Sequence, residues 1–233
     1  MANPIREPGE HEAYPRRLGG SSVALTYLAH SRRLIVEKPL LLPEDRIAIG
    51  FAASLESVSL PYVIVAGYLA ILLGRPRRSD DIDFLIPRIS LGEFERLVTN
   101  ALQRGFEVMQ LPHPTPRGLE KLYEAYLEQG FSIRFMQQDT PVPNVELKFA
   151  VSTLHHYALA NPVEVLLNAR WRLRVSPLEM QIAYKLKLGS DKDIGDAVFL
   201  YTLLENQLDH QELKKWCTTL KADCQLLEKV AQE

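Results

Sequence analysis

The stretch Ala66-Gly67-Tyr68-Leu69-Ala70-Ile71-Leu72-Leu73-Gly74-Arg75-Pro76-Arg77-Arg78-Ser79-Asp80-Asp81-Ile82-Asp83-Phe84-Leu85-Ile86 decides how this chain is read. It follows the apolar, β-branched run Tyr62-Val63-Ile64-Val65, which reads as a buried strand. Ala66-Gly67 is a small-residue turn, residues 68–73 are apolar enough for a short buried helix, and Ile82–Ile86 reads as a second strand. Asp81 and Asp83 are alternate residues at the start of that strand, so both carboxylates leave one face while Ile82 and Phe84 leave the other. Two adjacent carboxylates repel unless a positive charge sits between them. A divalent cation is the natural partner, and all-oxygen donors favour magnesium or manganese. Unpaired amides at the Ala66-Gly67 turn could receive a phosphate, although Gly67 also reads as a plain turn glycine. Arg75, Arg77 and Arg78 offer charge to an anionic ligand, or form a solvated basic loop.

Working outward, Ile47, Phe51, Leu55 and Val58 predict a helix from Pro43 to Ser57. Ser90 and Glu93 form a capping box ahead of the stripe Phe94, Leu97, Val98, Ala101 and Leu102. Strands are expected at 106–111, 131–136 and 145–151, with a helix at 118–129. Residues 163–175 read as a hairpin turning at Asn168-Ala169. Its alternating Arg170, Arg172 and Arg174 around Trp171 fit a polar hairpin face better than a base-stacking platform. Ser176-Pro177-Leu178-Glu179 is a helix start with cap, proline and capping-box glutamate, and the pattern stays helical to the end. His155 and His156 are adjacent and point apart, so they are not expected to share an ion. The organisation expected is an N-terminal arm or cap over 1–43, a mixed strand–helix core over 44–175, and a helical region over 176–233 packed on it.

Glu146 lies in the strand Val145-Glu146-Leu147-Lys148-Phe149 and is a third candidate carboxylate if that strand neighbours Asp81 and Asp83. Otherwise it is an exposed glutamate paired with Lys148. Two metals held by three carboxylates would activate a hydroxyl and stabilise a pyrophosphate leaving group.

The pattern Ala66-Gly67-Tyr68 … Gly74-Arg75-Pro76-Arg77-x-Ser79-x-Asp81-Ile82-Asp83 resembles the nucleotidyltransferase superfamily of DNA polymerase β. It looks closest to the small AbiEii/MenT-type toxin enzymes. Ala66 stands where the relatives carry glycine, and Ser79 where they carry threonine. A second match runs from Tyr184 to Asp196, where Lys185, Asp193 and Asp196 fall on a lysine-then-Lys-Asp-x-x-Asp pattern. The resemblance implies an α+β fold with a mixed sheet flanked by helices and a C-terminal helical bundle. It implies magnesium-dependent transfer of a nucleoside monophosphate from an NTP. Asp81, Asp83 and Glu146 would be the metal and catalytic carboxylates, and Lys185 and Asp193 would complete the catalytic set. Ala66, Gly67, Arg75, Ser79 and Lys185 would bind the nucleotide. The acceptor would be tRNA or another RNA, a protein or a small molecule, and a toxin-type enzyme would have a cognate antitoxin. Read without the resemblance, Lys185 and Asp193 are equally a structural ion pair.

Composition bounds these readings. The 233 residues carry 27 basic and 29 acidic side chains, a net charge of −2, which argues against a protein that coats nucleic acid. Hydrophobic residues make up 46%, as in soluble globular proteins. No apolar run reaches the roughly 20 residues of a membrane span. The opening Met-Ala-Asn-Pro-Ile-Arg has no apolar signal core, so a cytoplasmic location without a membrane partner is expected. Cys217 and Cys224 read as ordinary, reduced helix residues. All 17 arginines precede residue 176, which places the expected approach of a nucleic-acid acceptor on the first three-quarters of the chain.

Overall fold

The computed structural model describes residues 23–138 and 140–230. Residues 1–22 of the expected arm or cap lie outside the described residues. The remainder of that segment supplies two strands, β1 (Ala24–Leu28) and β2 (Arg33–Glu37), to the main sheet. A single sheet of nine strands runs through the described residues in the order β1-β2-β8-β9-β3-β4-β7-β6-β5. Its other strands are β3 (Val63–Val65), β4 (Asp81–Ile86), β5 (Phe106–Val108), β6 (Ile133–Gln137), β7 (Thr140–Phe149), β8 (Val163–Leu167) and β9 (Trp171–Val175). Pairing is mixed: β4 runs antiparallel to β3 and parallel to β7, and β2 joins β8 in parallel. The protein is therefore an α+β mixed sheet flanked by helices, with a helical C-terminal region, as the sequence led us to expect.

Helix α1 (Pro43–Ser57) has the expected limits, and its Ile47, Phe51 and Leu55 are buried on the sheet. Phe51 meets Phe84, Phe106 and Phe135 at ring distances of 5.1, 5.5 and 4.9 Å, so the face of β4 opposite the aspartates is sealed by aromatic packing. Helix α2 (Tyr68–Leu72) is fixed beneath by Tyr68, whose hydroxyl donates to Asp45 Oδ1 at 3.0 Å. Asp45 is fully buried and also binds Lys38 Nζ at 2.6 Å, which satisfies its charge. Gly74, at φ +98°, closes α2 in the left-handed conformation that glycine adopts without strain.

The capping box of α3 (Leu91–Gln103) forms, with Glu93 N–H donating to Ser90 Oγ and Ser90 N–H to Glu93 Oε2. The β8–β9 hairpin turns through Asn168 and Ala169 at φ +50° and +49°, the primed turn that suits strand twist. Three local expectations need correction. The helix expected over 118–129 is α4 (Pro116–Leu122) followed by a π-helical turn, Tyr123–Leu127. Beyond α5 (Thr153–Ala160), Ser176 and Glu179 do not cap the next helix, α6 (Leu178–Leu188), which starts without a side-chain cap. Ser176 Oγ instead donates to Gln181, and Glu179 accepts from the Tyr27 hydroxyl and the Asp209 amide, locking α6 to β1 and to the segment around Asp209. Cys217 and Cys224 are joined by a disulfide. Helix α7 spans Asp191–Leu204, and α8 (His210–Leu220) ends at Lys221, whose left-handed backbone folds Cys224 back toward Cys217 before α9 (Gln225–Val230). Among the described residues, no helix is long and apolar enough to cross a membrane.

Candidate active site

The alternation of β4 puts Ile82 and Phe84 in the core and leaves Asp81 and Asp83 half-buried on the opposite face. Register then sets the neighbours. Asp81 lies opposite Asn144, and Asp83 opposite Glu146 on one side and Val65 on the other. The strand carrying Glu146 is therefore the immediate parallel neighbour of the aspartate strand, and the three carboxylates occupy one sheet face. Ser79 is buried and its hydroxyl lies 3.5 Å from Asp81 Oδ1, at the limit of a hydrogen bond.

Cations already occupy part of this face. Lys148 Nζ lies 2.9 Å from Asp83 Oδ1 and 2.8 Å from Glu146 Oε2, bridging the two carboxylates. Arg134, opposite Glu146 on β6, donates to Glu146 Oε1 from Nε at 2.9 Å and from Nη2 at 2.5 Å. Both Glu146 oxygens thus accept from cations. Burial opposes ionisation of Glu146, but the bonds from Lys148 and Arg134 prevail and hold its carboxyl below the ordinary range. Burial pushes the Asp83 carboxyl up, with Lys148 offsetting part of the rise. Among the described residues Asp81 has no ion-pair partner, and no group of three or more His, Cys, Asp or Glu side chains is disposed to hold a metal. Asp81 and Asp83 offer hard carboxylate oxygens, the donor chemistry that suits a magnesium or manganese ion.

The Ala66-Gly67 turn adjoins Asp83 through β3. Ala66 is at φ +62°, a left-handed conformation that disfavours a β-carbon. Gly67 is in an ordinary helical conformation and is needed for another reason. A Cβ there would lie 2.7 Å from Arg77 Nη2, and that same nitrogen donates to Gly67 O at 2.9 Å. The glycine admits a guanidinium.

Arg75 and Arg77 do not turn toward Asp81 or Asp83. Both bind Asp196 on α7, which is fully buried: Arg77 with Nε at 2.8 Å and Nη2 at 2.7 Å, and Arg75 through Nη1. Lys185, buried on α6, completes the cage at 2.6 Å from Asp196 Oδ2 and 3.1 Å from Asp193 Oδ1. Burial disfavours the Asp196 carboxylate, but the bonds from Arg77, Lys185 and Arg75 hold it below its ordinary range. Asp193 additionally accepts from Ser190 Oγ at 2.5 Å, and its amide bonds that hydroxyl as the cap of α7. The two motifs read separately in the sequence are thus one ion network joining the loop before β4 to the C-terminal helices.

Between these motifs lies a mostly apolar cavity of about 290 Å³, with Ala66, Asp83, Lys148, His155, Gln181 and Tyr184 in its wall. Burial, with smaller contributions from His156 and Lys148, holds His155 below the usual histidine range, so it faces the cavity as a neutral ring near pH 7. Sequence reasoning offered the Glu146–Lys148 pair, which is present, and placed Asp196 in the second motif without a role; it missed the reach of Lys148 to Asp83, the part of Arg134, Asp196 as the centre of the network, and the cavity wall. The signal for Lys148 was present, since it stands two residues from Glu146 in a strand and shares its face.

No protein-family model matches the chain, and no curated protein matches it. Among solved structures it is similar to the solution structure of the antibiotic-resistance factor ANT(2'')-Ia, at 16% identity and a TM-score of 0.47. The match covers 82% of this chain and 99% of that one.

Proposed function

We propose that this protein is a nucleotidyltransferase that moves a nucleoside monophosphate from an NTP to an acceptor hydroxyl and releases pyrophosphate. The observation that carries the reading is the placement of Asp81 and Asp83 on one face of β4, with Asp83 beside the Ala66-Gly67 turn and in the wall of a cavity. In the reaction the acceptor oxygen bonds to the α-phosphorus, the bond from that phosphorus to the pyrophosphate oxygen breaks, and the hydroxyl proton passes to solvent water. A magnesium or manganese ion held by Asp81 and Asp83 would neutralise charge on the phosphates. Lys148 adds a fixed positive charge beside Asp83. Arg75, Arg77 and Lys185 hold the loop before β4 against α6 and α7 through Asp196, which keeps the aspartate strand in place. Glu146 is already paired with Arg134 and Lys148, so accepting a proton there requires breaking an ion pair first. The acceptor class in this reading is RNA (tRNA in particular), protein or a small molecule, and a toxin-type enzyme would be restrained by an antitoxin.

A second reading is favoured by the Lys148 bridge across Asp83 and Glu146: a module that binds NTP or RNA on the same fold and transfers nothing. One experiment separates the two. The protein is incubated with labelled ATP, CTP, GTP or UTP, magnesium, and cellular RNA, protein or small-molecule extract. Label transfer that disappears in Asp81→Ala supports the enzyme. NTP binding without transfer to any pool supports the binding module and overturns the enzyme.

A further inference from the structure

The bridging ammonium raises a question of cation count that rests on the nucleotidyl-transfer reading. Sites of this chemistry that use two metal ions hold them about 3.5–4 Å apart, with carboxylates shared between them. Here Asp83 is the carboxylate that would have to be shared. It has Asp81 two residues away on its own strand and Glu146 across the ladder. No cation among the described residues lies within ion-pair distance of Asp81. On the Glu146 side Lys148 Nζ sits within 3 Å of both Asp83 Oδ1 and Glu146 Oε2. Glu146 Oε1 is held by Arg134, so neither oxygen of Glu146 is open.

Lys148 is fixed there by strand register. It is two residues beyond Glu146 on the same face of β7, with Leu85 opposite it on β4, so its stem lies along the sheet and its head reaches back between the carboxylates.

We infer that Lys148 stands in the place of a second metal ion, so that the site takes one divalent cation, on Asp81 and Asp83, instead of two. Lys148 is then a positioning residue that sets metal stoichiometry. It brings one positive charge where a divalent ion would bring two.

The test is a titration of the full chain with Mn²⁺ alone, read by electron paramagnetic resonance and calorimetry. The wild type should bind one equivalent with an isolated-ion spectrum. Lys148→Gln and Lys148→Met should bind a second equivalent and show a spin-coupled pair. Lys148→Arg, which keeps the charge, should return to one. Two coupled ions in the wild type would overturn the inference, as would an unchanged count in both neutral variants or no binding by any form. Because the wild-type count is itself decisive, a neutral variant that fails to fold does not rescue the idea. Label transfer measured on the same preparations reports on the nucleotidyl-transfer reading separately: transfer by a wild type carrying two ions would sink only the Lys148 assignment.

Discussion

Arg77 grips Asp196 with a two-pronged ion pair, Nε to Oδ1 at 2.8 Å and Nη2 to Oδ2 at 2.7 Å, across 119 residues of chain. The same Nη2 donates to Gly67 O, so one guanidinium ties the turn after β3, the loop before β4 and helix α7 together. The planar fork of arginine suits this geometry, which a lysine ammonium could not reproduce. The aspartate strand is held in place from outside its own sheet.

Removing the centre of that network should be severe. Asp196→Ala leaves Arg75, Arg77 and Lys185 facing one another around a buried void. Breaking a buried ion cluster in this way costs about 3–5 kcal/mol. Denaturant unfolding of the variant against the wild type measures it, and a loss within experimental error would show that water compensates the three cations.

The same carboxylate predicts a pH dependence. Its folded-state pKa lies below the unfolded value because of its three cationic partners. The stability it contributes is therefore fully present above the ordinary aspartate range, about pH 4, and is lost as pH falls through the lowered value. Glu146 is lowered as well and acts in the same direction. Unfolding free energy should drop steeply below about pH 4, and Asp196→Asn should flatten that drop without abolishing it.

Gly67→Ala should act through Arg77. The added methyl would sit 2.7 Å from Nη2 and 3.2 Å from Ser79 Oγ, and the guanidinium cannot swing away without leaving Asp196. Overpacking of this kind costs roughly 1–3 kcal/mol. In the double variant with Asp196→Asn the two costs should add to less than their sum, since the guanidinium is then already released. Strict additivity would refute the coupling.

Ala66→Gly should stabilise. The left-handed backbone at φ +62° penalises the alanine β-carbon by about 1–2 kcal/mol. The greater freedom of glycine in the unfolded chain returns about 0.4–1 kcal/mol of that. A small rise in melting temperature is expected, and a fall would mean that the alanine methyl makes a packing contact worth more than the strain.

Asp81→Asn separates structure from chemistry. Asp81 has no ion-pair partner among the described residues, and its nearest polar contact is the 3.5 Å approach of Ser79. Its melting curve should match the wild type to within about 0.5 kcal/mol. Label transfer from an NTP should be lost. A large stability loss in this variant would return Asp81 to a purely structural role.

Features that depend on a few neighbouring residues were legible in the sequence. The spacing of Ile47, Phe51 and Leu55 gave the limits of α1, Ser90 with Glu93 marked the start of α3, and Asn168-Ala169 marked a hairpin. The alternation of Asp81 and Asp83 with Ile82 and Phe84 placed two carboxylates on one face of β4, because strand geometry has a period of two. Where the local signal was ambiguous, the reading failed: Ser176 and Glu179 have the form of a capping box but bond Gln181, Tyr27 and Asp209.

Partnership between distant segments was decided by the tertiary structure alone. Nothing local to Arg75, Arg77 or Lys185 says whether they face a ligand or a buried carboxylate, and their common partner Asp196 is brought in by the packing of α7. Residues 24–28 and 33–37 are sheet through the pairing of β1 with β2 and of β2 with β8, a strand more than 120 residues away in the chain. The turn at Lys221, unmarked by glycine or proline, brought Cys224 to Cys217. The sequence by itself determined which side chains share a face, since that follows from backbone periodicity. Only the fold decided which charges meet, because charges are paired by the three-dimensional adjacency of elements that the chain order leaves open.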